Sequence, residues 1–163
     1  MSLRRWARHL VLPGWRLRRV FDAQALDTIE QAIAATERAH GGELRFAIET
    51  CLDAIELMRG ITPRERAIHT FARLGVWDTH ANNGVLIYLL WADRSVEIVA
   101  DRGYNGQVSD QEWAEVCHRM EALFAQGRGP QAIVEGVQAV GALMARHFPA
   151  GDRNELPDRP VIM

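Results

Sequence analysis

Glu43, Asn82, Asn83 and Asp101 are carboxylates and amide carbonyls, the hard oxygen donors that Ca²⁺ and Mg²⁺ select. They come from three separate stretches of the chain, so they act together only if the fold carries several strand ends to a common edge. Asp78, in the loop Asp78-Thr79-His80-Ala81-Asn82-Asn83-Gly84, is a fifth donor next to the same strand. Such a set offers cation binding and, through a cation, polarisation of a phosphoryl oxygen and activation of water. The same residue types also cap turns, with Asn and Asp accepting from turn amides, and that reading applies to each of them.

The patterns that would specify other chemistries are missing. There is no GxxxxGK[ST], GxSxG, HExxH or strand-linked GxGxxG. Cys51 and Cys117 form no CxxC or CxxH pattern, so neither a zinc site nor a disulfide framework is indicated, and Cys117 reads as a small buried hydrophobe on a helix face. His40, His69, His118 and His147 are scattered on or beside predicted helices, where surface or packing roles are the ordinary ones. Asp53, Asp93 and Arg94 gather at the opposite strand ends, where a tight hairpin turn leaves little room for a pocket.

The elements that position the donors follow from periodicity. Asp22 is an N-cap for a helix with Leu26, Ile29 and Ile33 on one face, and Gly41-Gly42 ends it. From Glu43 the period falls to two, with Leu44, Phe46 and Ile48 on one side of a strand. Residues 50–61 show no clear period. Thr62-Pro63-Arg64-Glu65 opens a helix whose buried face is expected at Ala67, Ile68, Phe71 and Leu74. The continuous apolar run over 85–91 predicts a central strand covered on both faces, and residues 96–100 return from it as a hairpin. Ser109-Asp110-Gln111-Glu112 caps the next helix and Gly129-Pro130 starts the last. The order α-β-α-β-β-α-α, with a right-handed crossover, predicts an α/β fold, a three-layer α/β/α sandwich with a mixed sheet. In that topology Glu43, Asn82, Asn83 and Asp101 converge at one edge.

The chain has 163 residues, 48% hydrophobic and 25% charged, the size and composition of one globular domain. Its net charge of −2 hides an asymmetry: residues 1–21 hold six arginines and no acid, leaving 13 arginines against 21 acids elsewhere. An acidic body does not suit nucleic acid, which is not expected as a partner. Residues 1–20 read as a basic amphipathic arm with Leu3, Trp6, Ala7 and Leu10 at helical spacing and Arg4, Arg5, Arg8 and His9 opposite. Two roles suit it: peripheral contact with an anionic membrane, or docking of Trp6 and Trp15 on the acidic body. Residues 21–149 form the expected domain, and 150–163 an extended, Pro-containing tail that holds an edge of the domain or a partner. No secretory signal or membrane-spanning run is recognised, and the expected location is the cytoplasm, with possible peripheral membrane contact.

Gly42-Glu43-Leu44-Arg45-Phe46, Pro63-Arg64-Glu65-Arg66-Ala67 with Phe71 and Leu74-Gly75, Asn82-Asn83-Gly84-Val85-Leu86-Ile87, Asp101-Arg102-Gly103 and Phe148-Pro149 occur in order over residues 21–149. In these the sequence resembles the TPM domain family, named after a thylakoid lumen protein, a photosystem II repair factor and a nematode receptor accessory protein. The resemblance implies an α/β/α sandwich, a divalent-metal site (Ca or Mg) near the strand ends, and the acid-phosphatase activity proposed for some members. Glu43, Asn83 and Asp101 match family positions, whereas Asn82 and Asp78 come from local chemistry alone. Many bacterial relatives are exported and membrane-anchored; this chain looks like the short cytoplasmic branch. The expectation is a divalent-cation-binding accessory factor that acts with an unidentified protein partner in a membrane complex. The alternative is a metal-assisted phosphatase of low activity on phosphomonoesters.

Overall fold

The computed structural model describes residues 3–149 and 154–163. Helices α1 (Leu3–Val11) and α2 (Gly14–Val20) are separated at Pro13 and lead into α3 (Ala23–Glu37). Asp22 caps α3, its Oδ1 accepting from the Ala25 N–H at 2.9 Å. After β1 (Glu43–Glu49) come α4 (Ala54–Met58) and α5 (Pro63–Arg73). Then follow β2 (Gly84–Leu90), β3 (Ser95–Ala100), a 3₁₀ turn (Arg102–Tyr104), α6 (Asp110–Ala125), α7 (Gly129–Ala145) and β4 (Val161–Ile162). Reciprocal Thr62–Glu65 and Ser109–Glu112 capping boxes open α5 and α6, as their spacing predicts.

The sheet order is β3-β2-β1-β4. β1 and β2 are parallel, Glu43 opposite Gly84 and Glu49 opposite Leu90, and β3 returns antiparallel with Ala100 opposite Val85. On one face Leu44, Phe46, Ile48, Val85, Ile87 and Leu89 join a core with Ile29 and Ile33 of α3, Val116 and Met120 of α6, and Val137 and Val140 of α7. On the other face Ala47, Leu86, Tyr88 and Leu90 pack with Leu57 of α4 and Ala67 and Phe71 of α5. Helices on both faces of a mixed sheet make the α/β/α sandwich, and all seven residues of β2 are buried.

Four features differ from, or go beyond, the sequence reading. First, the basic segment expected as a 1–20 arm is folded onto the body over its described part. Leu17 joins the α3/α6/α7 core, Trp6 packs on the opposite one, and His9 is buried. Second, the aperiodic stretch 50–61 holds α4, opened by an Asp53–Glu56 capping box. Third, the C-terminal tail adds β4, parallel to β1 with Val161 opposite Ala47; its residues 150–153 lie outside the described residues. Fourth, Ile68 is exposed, because α5 buries Ala67, Thr70 and Phe71, and Ile68 lies about 100° round the helix from Ala67.

Candidate functional site

Strand register sets the geometry where β1 and β2 begin. Glu43 stands opposite Gly84, and the Asp101 N–H donates to the Gly84 carbonyl at 2.9 Å, so Glu43, Gly84 and Asp101 form one row across three strands. A Cβ at Gly84 would run into the Val76 carbonyl, which fills the middle of the row. With strands about 4.8 Å apart, the Glu43 and Asp101 backbones are about 10 Å apart on either side of that carbonyl.

The five predicted donors have different surroundings. Glu43 is buried, and its Oε2 accepts from the Leu156 N–H of the tail at 2.8 Å. Burial pushes its pKa up, while the tail amides of Glu155 and Leu156 pull it down. Asp101 caps the 3₁₀ turn, its Oδ1 accepting from the Arg102 N–H at 2.7 Å; its Oδ2 is buried without a partner among the described residues. Asn82 adopts a left-handed φ of 52°, and its Oδ1 accepts from Arg102 Nε at 2.8 Å. The buried Asn83 donates from Nδ2 to the Gly41 carbonyl, and its own carbonyl accepts from the Tyr104 hydroxyl at 3.1 Å. Its Oδ1 is buried without a partner. Asp78 is exposed in the turn after α5, where its N–H donates to the Gly75 carbonyl. The fold therefore brings Glu43, Asn82, Asn83 and Asp101 to the same end of the sheet, but Glu43 is engaged by the tail, Asn82 by Arg102, and of these four Asn83 and Asp101 keep a free buried oxygen.

Sequence reasoning missed a second group at the same end. Glu37, at the last turn of α3, accepts from the Leu44 N–H at 2.8 Å through Oε1, and its Oε2 is buried without a partner. Burial pushes its pKa up to about 8 against the pull of the Leu44 N–H, with repulsion from Asp158 of the tail and Glu43, and a hydrogen bond to Asp158 that only the protonated carboxyl can donate, adding to the rise. Arg45 donates to the Pro157 carbonyl while its Nε is unmet, and burial lowers its pKa. His40 Nδ1 accepts from the Gly42 N–H at 3.2 Å, leaving Nε2 buried and unmet. The available signal was a glutamate falling on the apolar period of α3.

The other end, where β1 and β2 finish, is largely paired; His9 Nε2 is its one buried side-chain atom without a hydrogen bond among the described residues. Arg66 donates to both Glu49 oxygens, at 2.7 and 2.5 Å, and to Glu56 at 2.5 Å, and the Tyr88 hydroxyl donates to Glu49 at 2.6 Å. At the hairpin turn Asp93 receives Arg5 at 2.9 Å and Arg8 at 3.4 Å and faces His9 Nε2 at 3.1 Å. The Leu52 N–H donates to His9 Nδ1 at 2.9 Å. Asp53 is spent on capping α4. Burial pushes the Cys117 thiol up to about 12 and also raises Cys51, so neither is poised as a thiolate.

Among the described residues no group of three or more His, Cys, Asp or Glu side chains is placed to hold a metal ion. A hard cation at the Asn83/Asp101 edge fits only if amide and main-chain oxygens and water complete its shell; the Ala81 and Asn82 carbonyls come close to Gly103 beside Asp101. No helix of the described residues is long and apolar enough to cross a membrane.

The model of the TPM domain matches residues 17–143. The fold is similar to the BA42 protein of the psychrophilic bacterium Bizionia argentinensis, with a TM-score of 0.76 and 31% identity over 86% of this chain and 94% of that one. It is also similar to the N-terminal domain of a P. gingivalis protein, with a TM-score of 0.64 and 20% identity over 82% of each chain. None of the curated proteins matches the chain.

Proposed function

This chain belongs to the TPM domain family, and we propose that within it the protein is a weak divalent-cation-binding accessory factor. In this reading it acts in the cytoplasm with a protein partner in a membrane complex. The observation that supports the reading is the pair of buried, unmet oxygens, Asn83 Oδ1 and Asp101 Oδ2, in loops joined by the Gly103-to-Asn82 and Tyr104-to-Asn83 hydrogen bonds. A buried acceptor without a donor costs about 1–3 kcal/mol, and a cation or water relieves that cost. Asp101 and Asn83 would supply the side-chain ligands, and the loop carbonyls the rest. With one carboxylate engaged, affinity is expected near 10⁻⁴–10⁻³ M, the range of weak modules. When bound, the ion would neutralise Asp101 and tie the 79–83 loop to the 101–104 turn. Glu43 would join only by exchanging its tail amides for the ion.

Phosphatase chemistry is the weaker reading, because no nucleophile, and no base with an orienting partner, stands beside Asp101 among the described residues. Calcium titration followed by amide NMR is expected to move Asn83, Asp101 and Gly103 together. Shifts confined to Asp53 and Asp93 would overturn the reading. Turnover of p-nitrophenyl phosphate is expected to fade on purification; turnover that persists and disappears in Asp101→Ala would establish the enzyme instead.

A further inference from the structure

Helix α1 is docked with its polar side inward. Arg5 reaches Asp93 and the Ile61 carbonyl, His9 is buried between Asp93 and the Leu52 N–H, and Trp6 packs on the core of the α4/α5 face. At about 100° per residue, Leu10, Leu3, Ala7 and Val11 then form one continuous stripe on the opposite side. That stripe faces water, with Leu3 88%, Leu10 65% and Val11 75% exposed. After Pro13, Trp15 is 58% exposed, with the Arg16 guanidinium 5.5 Å from its ring centre. Burial against the body is the usual reason for an amphipathic stripe, and here the body takes the other side of the helix.

The charges on the segment that carries the stripe have one sign. Arg4, Arg8, Arg16, Arg18 and Arg19 are exposed and no acid occurs before Asp22. Among the described residues Arg4, Arg18 and Arg19 make no ion pair. We propose that the outward side of α1, with the turn into α2, is the surface by which this protein lies on an anionic membrane. Leu3, Leu10, Val11 and Trp15 enter the boundary between headgroups and acyl chains, and the arginines meet lipid phosphates.

The occupant must be apolar and anionic over the same area, which describes a bilayer of acidic lipids. A second copy of the chain meeting this side symmetrically would bring the two arginine groups face to face. The docking also removes the usual obstacle to so short a helix, since nine residues alone are marginal in water, whereas α1 is held in shape by Asp93. The excess of acids elsewhere in the chain turns the rest of the protein away from the lipid. This inference locates the membrane contact of the accessory role but does not depend on the cation site.

The full chain is tested by co-sedimentation with phosphatidylcholine vesicles that contain or lack phosphatidylglycerol. Binding is expected to be at least about tenfold tighter with the acidic lipid, and to fall at least about tenfold in the double variant Leu10→Glu/Val11→Glu. That variant is expected to melt as the parent does, because both side chains are exposed. A blue shift of tryptophan emission on binding is expected, reduced in Trp15→Phe. Equal binding to both vesicles, or unchanged binding by the double variant, overturns the proposal. So does polyglutamate binding as tight as that to vesicles, which assigns the surface to an acidic protein, or a dimer that the double variant dissociates. Asp101→Asn is expected to bind vesicles as the parent does, so loss of calcium binding and loss of membrane binding are read separately.

Discussion

Glu49, at the finish of β1, accepts two hydrogen bonds from Arg66 and one from Tyr88, whereas Asp101, at the starting end of the sheet, takes one backbone N–H and leaves its second oxygen buried and unmet. Around Asp101 the pattern repeats: Glu37, His40, Arg45 and Asn83 each have one buried polar atom without a partner. Around Glu49, arginines from α1 and α5 neutralise the acids. Ligands in open α/β sheets usually bind at the finishing ends of parallel strands. Here that end is closed by α1, α4 and their ion pairs, with His9 Nε2 its one buried atom lacking a hydrogen bond among the described residues, so most of the unmet bonding capacity lies at the other end. Buried ion pairs fasten elements, and buried orphans mark where something else is accommodated.

If the finishing end is structural, breaking it should cost most. Arg66→Ala strips Glu49 and Glu56 of their guanidinium and leaves the buried Glu49 facing the Tyr88 hydroxyl alone. The expected loss is about 3–5 kcal/mol, read as a lower urea midpoint at unchanged slope. A loss under about 1 kcal/mol would erase the contrast between the two ends. Asp93→Ala frees Arg5 and Arg8 and removes the carboxylate that His9 Nε2 faces at 3.1 Å, with an expected cost of about 2 kcal/mol. Asn83→Ala, at the open end, removes one hydrogen bond to Gly41 and should cost about 1 kcal/mol.

Local signals made the sandwich legible. The Thr62 and Ser109 boxes, the period-two run after Glu43 and the apolar run over 85–91 each act within a few residues, and the crossover rule then brought Glu43, Asn82, Asn83 and Asp101 to one edge. The Asp53–Glu56 box is equally local, but α4 is too short to show a period. What sequence could not show was long-range pairing. Arg5 and His9 look like the solvated face of a free helix until Asp93 is placed beneath them. Nothing near Glu43 or Arg45 says that Leu156 and Pro157 will supply their partners. Asp78 is near Asn82 in sequence, but the turn after α5 leaves it in solvent.

The open end is sharpened by asking whether its orphans can be satisfied from outside. Calcium at a hundredfold excess over its dissociation constant would add about 2.7 kcal/mol, and the melting temperature should rise accordingly. Asp101→Asn should abolish that rise. Arg66→Ala, although far less stable, should keep it, since the two ends share no side chain. A calcium-dependent rise lost in Arg66→Ala and kept in Asp101→Asn would reverse the assignment of the ends.

The last effect concerns protons. Glu37 titrates near 4.5 when unfolded and near 8 in the fold, so between those values the folded chain holds a proton that the unfolded chain releases. Its contribution is therefore complete below about 4.5 and lost progressively as pH rises to about 8. Glu43 is shifted in the same direction and adds to the decline. Glu37→Gln imitates the protonated carboxyl and keeps an acceptor for the Leu44 N–H. Parent and variant should match in stability at the acid limit and diverge as pH rises, the variant being the more stable at pH near 8. The divergence is bounded by about 1.4 kcal/mol per pH unit and is reduced by the partial access of water to Glu37. Curves that stay parallel across this range would mean that Arg45 holds Glu37 ionised. Glu37 and Arg45 would then leave the set of unmet groups at the starting end, and the contrast would rest on His40, Asn83 and Asp101.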